Sequence, residues 1–223
     1  MRIQIKNGQV IDPLHAVDAV MDVFIADGRI VALGNTPDGF HAEQIIDASN
    51  KIVTPGFIDL CARLREPGAE HKGNIASETA AAAAGGITTL CVPPDTQPVI
   101  DTPAVIELIH QRTQAAGLCH VLPIGALTRG LAGEHLSEMA RLKAAGCVGV
   151  SNATHAISNT YVISRAMEYA ANKDLTVFIH PEDPGLSNHG CAHEGVVSTR
   201  LGLPGIPEAA ETLAVANYLM LIE

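Results

Sequence analysis

Apolar and polar positions along this chain change rhythm near Pro55. Before it, the pattern is that of short half-buried strands. Ile3-Gln4-Ile5 alternates, Asn7-Gly8 predicts a turn, and Asp22–Ala26 leads through Asp27-Gly28 into Arg29–Leu33. Two β-rich runs flanking Asp-Gly predict a hairpin. A further strand is expected at Gln44–Asp47. Residues 1–50 therefore read as a small β-domain.

From residue 51 onward, continuous apolar runs recur near Phe57–Leu60, Ile87–Val92, His120–Ile124, Cys147–Val150 and Leu175–His180. Helical stretches separate them at Ser77–Ala84, Ala104–Ala116, Glu134–Ala145 and Tyr161–Ala171. A repeat of roughly 30 residues is the length of a strand-crossover-helix unit in a parallel sheet. The punctuation agrees. Gly85-Gly86, Gly117 and Gly146 stand where glycine stops a helix, and Thr102-Pro103 stands where an N-cap and first-turn proline open one. Asn159-Thr160 and Ser187-Asn188 read as loop residues. The fold class is α/β. Residues 51–223 hold about five units, whereas a complete (β/α)8 barrel takes about 250 residues, so an incomplete TIM-type barrel is expected. The run Asn217–Glu223 is apolar, helical in pattern and uncapped, as in a truncated chain.

Composition supports this architecture. Of 223 residues, 47% are hydrophobic but only 3% aromatic, so Val, Ile, Leu and Ala must fill the core. That suits helices laid on a buried parallel sheet. A net charge of −10 without a basic run argues against nucleic acid or an anionic membrane surface as partner. No apolar run is long enough to span a bilayer, and the first residues show no signal peptide, so a cytoplasmic protein is expected. Five cysteines, odd in number, far apart and without Cys-x-x-Cys, fit free thiols in a reducing compartment.

The candidate chemistry lies in Thr54-Pro55-Gly56-Phe57-Ile58-Asp59-Leu60-Cys61-Ala62-Arg63-Leu64-Arg65-Glu66-Pro67-Gly68. This frame resembles the first barrel strand of the metal-dependent amidohydrolases, and Leu-Arg-Glu-Pro-Gly narrows the resemblance to dihydroorotases. The likeness extends through Gly85–Thr89, Pro94–Pro98, Phe178–Asp183, His193-Glu194-Gly195 and Gly202–Pro207. It implies a zinc-bound hydroxide that interconverts carbamoyl aspartate and dihydroorotate. In the family the first strand carries His-x-His. Here those positions are Cys61 and Arg63, and an arginine has no lone pair to give a metal. Asn152 stands where the family places a ligating aspartate, and His180 matches the fifth-strand histidine. The family's later ligands fall beyond Glu223. His155, His189 and His193 are the residues that could compensate.

By the same resemblance, Arg65 is the arginine that pairs with a substrate carboxylate. Its usual asparagine partner is replaced by Asp95, which would repel an anion and could instead occupy Arg65 or Arg63. Lys72-Gly73-Asn74 and Pro123–Thr128 look like the inactive dihydroorotase-like chains that accompany aspartate carbamoyltransferase. The resemblance thus implies a non-catalytic, oligomeric partner of that enzyme, needing no cofactor. Two alternatives stand beside it: an active cyclic amidohydrolase with a reduced zinc site at Cys61 and His180, and a fragment of a longer chain without its own function.

Overall fold

Eleven residues of uninterrupted strand open the chain. The computed structural model describes residues 1–222, and the chain divides into two units, Met1–Gly56 and Phe57–Glu223.

In the first unit, β1 (Arg2–Asp12) pairs antiparallel with β2 (Val17–Ala26), which pairs antiparallel with β3 (Arg29–Leu33). β4 (Gln44–Asp47) and β5 (Ile52–Val53) both run parallel to β1. The Asp27-Gly28 hairpin forms with both residues at positive φ (51° and 74°), the geometry that matches the twist of the flanking strands. Asn7-Gly8 is not a turn. Asn7 takes φ 60°, the register shifts between Ile5 and Gly8, and β1 continues through a bulge. Asp22 stabilises that bulge by accepting from the Asn7 amide (2.9 Å) and the Gln4 side chain (2.9 Å). Glycine is required beside it, because a Cβ on Gly8 would lie 2.5 Å from Val53 Cγ2. Phe24 is fully buried and meets Phe40 edge-on at 5.2 Å between ring centroids.

The second unit is a run of strand-helix units. β6 (Phe57–Asp59) is followed by α1 (Ile75–Ala84), β7 (Ile87–Val92), α2 (Pro103–Ala116) and β8 (His120–Ala126). Then come α3 (Met139–Ala144), β9 (Gly149–Ser151), α4 (Thr160–Asn172) and β10 (Thr176–Phe178). The five strands are all parallel and lie in chain order, β6 to β10. Sequential order without reversal is the wiring of a barrel rather than of a doubly wound open sheet. This is the incomplete (β/α)8 arrangement expected from the repeat. A smaller segment follows: α5 (Pro184–Ser187), β11 (Ala192–His193), α6 (Val196–Leu201), β12 (Gly205–Ile206) and α7 (Ala209–Met220), with β11 and β12 paired in parallel.

Packing follows the apolar pattern. Leu64, Ile75, Leu90, Val92, Ile100, Ile106, Ile109, Val121 and Leu142 form one buried cluster under α1 and α2. Each such side chain contributes about 1.5–3 kcal/mol by leaving water. Leu127, Met139, Val150, Ile163 and Leu175 centre a second cluster under α4. The outermost strands are less covered, and Phe57, Ile58 and Leu60 are exposed.

Four boundaries differ from expectation. α3 starts at Met139, not Glu134, because Ser137 is buried and donates its hydroxyl to the Ala126 carbonyl. Residues ahead of it are drawn alongside the end of β8, with Arg129 N donating to His135 O (2.9 Å) and Ser137 N to Leu127 O (3.0 Å). Asn159 caps α4, accepting from the Tyr161 amide at 3.0 Å, and Ser187 closes α5 rather than lying in a loop. β10 stops at Phe178, so His180 stands past the ladder.

Candidate functional site

The chain leaves β6 without leaving the sheet. Asp59 Oδ1 accepts from the Cys61 amide (2.9 Å), and Ala62 N donates to Cys91 O (2.8 Å), which carries the segment on beside β7. Leu64 is buried at 3% exposure, while Cys61, Arg63 and Arg65 are exposed. The period-two alternation of an extended chain thus puts Cys61 and Arg63 on one side at the strand C-termini, where both line one cavity.

Arg63 Nε donates to Asp95 Oδ2 at 2.8 Å. That hydrogen bond, opposed in part by burial, holds the guanidinium pKa above its already high ordinary value. Of the two arginines that Asp95 could occupy, it pairs with Arg63. Arg65, at φ 66°, faces a recess of about 160 Å³ that also holds Arg63, Gly68, Asp95 and Gln97.

Glu66, in the same motif, does something the sequence did not disclose. Its Oε2 accepts from the Ile75 amide at the first turn of α1 (3.0 Å), and its Oε1 lies 3.3 Å from Arg112 Nε on α2. With Asn74 as N-cap, accepting from Ser77 N at 2.8 Å, and its own amide donating to Ser77 Oγ at 3.0 Å, three amides of the α1 N-terminus are tied down. The only available signal was the spacing of an acid nine residues before a helix start, which is weak.

His180 lines a cavity of about 290 Å³ together with Cys61, Arg63, Ser151 and Thr154. Its Nε2 is 3.6 Å from Glu182 Oε2. His193 lies instead on a neighbouring recess with His180, Glu182 and Glu208. His155 contributes its carbonyl to a hydrogen bond, and His189 sits in a loop at φ 61°. Among the described residues, no three His, Cys, Asp or Glu side chains converge as a metal site.

Asn152 is not at the mouth. It is 5% exposed and its carboxamide is consumed internally. Nδ2 donates to His155 O (2.8 Å) and Leu131 O (3.2 Å), and Oδ1 accepts from Thr128 Oγ1 (2.7 Å). Thr128 in turn accepts from the Gly133 amide at 3.0 Å. Its neighbours Ser151 and Ala153 line the cavity instead. Thr128 and the two backbone carbonyls hold its carboxamide away from that cavity.

These donors do not suit zinc. A hydrolytic zinc needs three protein ligands converging, with one position open. Among the described residues, the cavity is lined by one thiol, one imidazole and a permanently charged guanidinium.

The sequence model of the dihydro-orotase-like proteins matches residues 50–223. The chain belongs to this family. Over its full length it is 51% identical to a dihydroorotase-like protein of Pseudomonas aeruginosa and 47% identical to a dihydroorotase of a Geobacter species. It covers 53% and 52% of those two proteins, and so spans about half the length of the curated relatives it matches. Among solved structures, L-hydantoinase from Arthrobacter aurescens superposes with a TM-score of 0.78 at 19% identity, over 98% of this chain and 50% of the hydantoinase. A D-hydantoinase superposes at 0.76 and 20% identity, over 100% of this chain and 50% of its own. These likenesses are of fold: the dihydroorotase-like chain shares the amidohydrolase TIM-type barrel, of which it holds an incomplete, half-barrel portion.

Proposed function

We propose that this chain is part of a dihydroorotase-like protein of pyrimidine synthesis that has no hydrolytic activity and serves as a structural partner of aspartate carbamoyltransferase in the cytoplasm. The observation that carries the reading is Arg63. A guanidinium ion-paired to Asp95 lines the cavity that also holds Cys61 and His180, and the resemblance to the family makes Arg63 one of its first pair of metal-ligand positions. A fixed positive charge opposes a divalent cation, and it cannot be titrated away. The intact packing of α1, α2 and their capping residues supports the second half of the reading, since a retained scaffold retains surfaces.

A stable assembly buries on the order of 2,000 Å² or more. The test is co-expression with aspartate carbamoyltransferase, followed by size-exclusion chromatography with light scattering and transcarbamoylase assays with and without this protein. One co-eluting complex, more active than the transcarbamoylase alone, is expected. Separate elution with equal activity overturns the partner role.

The second reading, an amidohydrolase with a reduced metal site, is favoured by one feature: Cys61 and His180 line the same cavity. Plasma emission spectrometry on protein dialysed without chelator separates the two. No stoichiometric zinc is expected, and one tightly held zinc with dihydroorotate turnover would establish the hydrolase.

A further inference from the structure

Cys61 and Cys91 stand level with each other on adjacent parallel segments. The Ala62 amide donates to the Cys91 carbonyl at 2.8 Å, a bond that sets Cys61 opposite Cys91 just past the end of β6. Leu90 and Val92 belong to the apolar cluster under α1 and α2, and Ala62 and Leu64 pack in the same cluster. By alternation, Cys61 and Cys91 both point to the other face of the sheet. Cys61 is exposed there and lines the 290 Å³ cavity, whereas Cys91 is 4% exposed. Burial raises the Cys91 thiol pKa, and the charges of Asp59 and Cys61 raise it further, so the two thiols lie within electrostatic reach of each other. Cys119 and Cys147 pack instead with the cluster on the helix side, and Cys191 lies beyond β10.

We infer that Cys61 and Cys91 are a peroxide-oxidisable dithiol that closes reversibly into a disulfide between the first two strands of the parallel sheet. Level residues on adjacent strands have α-carbons about 5 Å apart, inside the span of about 4.4–6.8 Å that a disulfide bridges. β6 ends at Asp59, so the segment holding Cys61 lies outside the regular ladder and can adjust to bring the sulfurs together. The two thiols divide the chemistry by access. The exposed Cys61 sulfur, as thiolate, attacks hydrogen peroxide. An S–O bond forms, the O–O bond breaks, and hydroxide leaves and takes up the proton the thiol gave up. The Cys91 sulfur then attacks the Cys61 sulfenic acid. The S–S bond forms, the S–O bond breaks, and the departing oxygen takes the Cys91 proton. Two thiols lose two electrons, and one peroxide becomes two waters. A small thiol reductant restores the pair by exchange. In a reducing compartment the resting form is the dithiol, and all five cysteines are free in this structure. Once closed, the bond joins the segment carrying Arg63 to the strand that leads to Asp95.

The test begins with the purified chain, reduced, freed of reductant and treated with equimolar hydrogen peroxide. Remaining thiols are blocked with iodoacetamide, and the protein is digested without reduction. Mass spectrometry should find the cross-linked Cys61 and Cys91 peptides as the main disulfide, and dithiothreitol should release them. The oxidised chain should melt several degrees higher, because the cross-link closes the loop that contains α1. In Cys91→Ser the first step has no resolving partner, so dimedone should trap a sulfenic acid at Cys61 in severalfold higher yield than in the parent. Cys61→Ser should leave Cys91 reduced. Cys191→Ser, which removes the other exposed thiol, should change nothing. Should Cys91→Ser not fold, the peptide map of the parent and the Cys61→Ser arm carry the test. The inference is overturned if Cys61 of the parent passes to sulfinic acid while Cys91 stays reduced. It is overturned equally by a main disulfide from Cys61 to any other cysteine or to a second chain, or by a cross-link that forms only in urea.

Discussion

The ends of the first and fourth strands of the parallel sheet both carry polar side chains, and the two are accommodated in opposite ways. At the first strand, Cys61 and Arg63 remain at the open mouth, and the new charge is met by a single carboxylate, Asp95. At the fourth, Asn152 is withdrawn into the protein, and its oxygen and both amide hydrogens are engaged by Thr128, Leu131 and His155. One replacement alters a surface potential. The other has become part of how the loops after β8 and β9 are joined. A polar side chain at a strand end is therefore not held in one way: solvent tolerates the first sort at little cost, whereas the second commits the surrounding backbone.

The largest contrast expected from this difference is in thiol reactivity. Cys61 is exposed at the mouth, while Cys147, just ahead of β9, is 6% exposed and has its pKa pushed up to about 12 by burial. At neutral pH Cys147 stays protonated and reacts only when the structure opens locally. Alkylation with iodoacetamide followed by mass spectrometry should label Cys61 faster by on the order of a thousandfold. Comparable rates would mean that the region around β9 is as open as the mouth.

Next in size is Asn152→Asp. A carboxylate there would face the Leu131 and His155 carbonyls in place of two N–H donors, and the expected cost at neutral pH is about 3 kcal/mol. Both carbonyls and burial raise the folded-state pKa of the introduced acid above its unfolded value. The variant should therefore lie nearest the parent at low pH and lose stability as pH rises through the carboxylate range. Urea unfolding at several pH values checks this, and a pH-independent difference would contradict the sealed network.

Asp95→Asn probes the other end of the comparison. The Arg63–Asp95 pair is partly exposed, so the same denaturation experiment should show a loss of only about 0–1 kcal/mol, diminished further by salt. A loss as large as that for Asn152→Asp would erase the distinction between the two sites.

The smallest expected effect is none. Arg63→His supplies an imidazole, but Cys61 is unchanged and no acidic group stands at the mouth in place of Asn152. Groups that act as a unit are strongly non-additive, so an ultraviolet assay for dihydroorotate hydrolysis should stay at the blank. Metal-dependent turnover in this variant would show that one residue alone was limiting.

Much of the architecture was legible in the sequence because the repeat is carried by apolar strands and glycine stops, both local signals. Asp27-Gly28, Gly117 and Thr102-Pro103 took the positions their backbone preferences dictate. What escaped was held by contacts distant in sequence. Asn7-Gly8 reads as a turn until Asp22 and β5 are seen to hold a bulge there. The pattern 134–145 reads as one helix until Ser137 is seen to bond back to Ala126. Resemblance to the dihydroorotases placed Arg63, Asp95 and His180 around one mouth, but it could not reveal which way Asn152 turned. That depends on Thr128, 24 residues earlier.

Glu66 has a wider implication. Within Leu-Arg-Glu-Pro-Gly, the arginine belongs to the mouth while the glutamate clasps the first turn of α1 and Arg112 of α2. Half of the motif is thus an instruction for assembly and half for chemistry. A chain that gave up the chemistry would still be obliged to spell the assembly half, and with it most of the word by which its hydrolytic relatives are recognised.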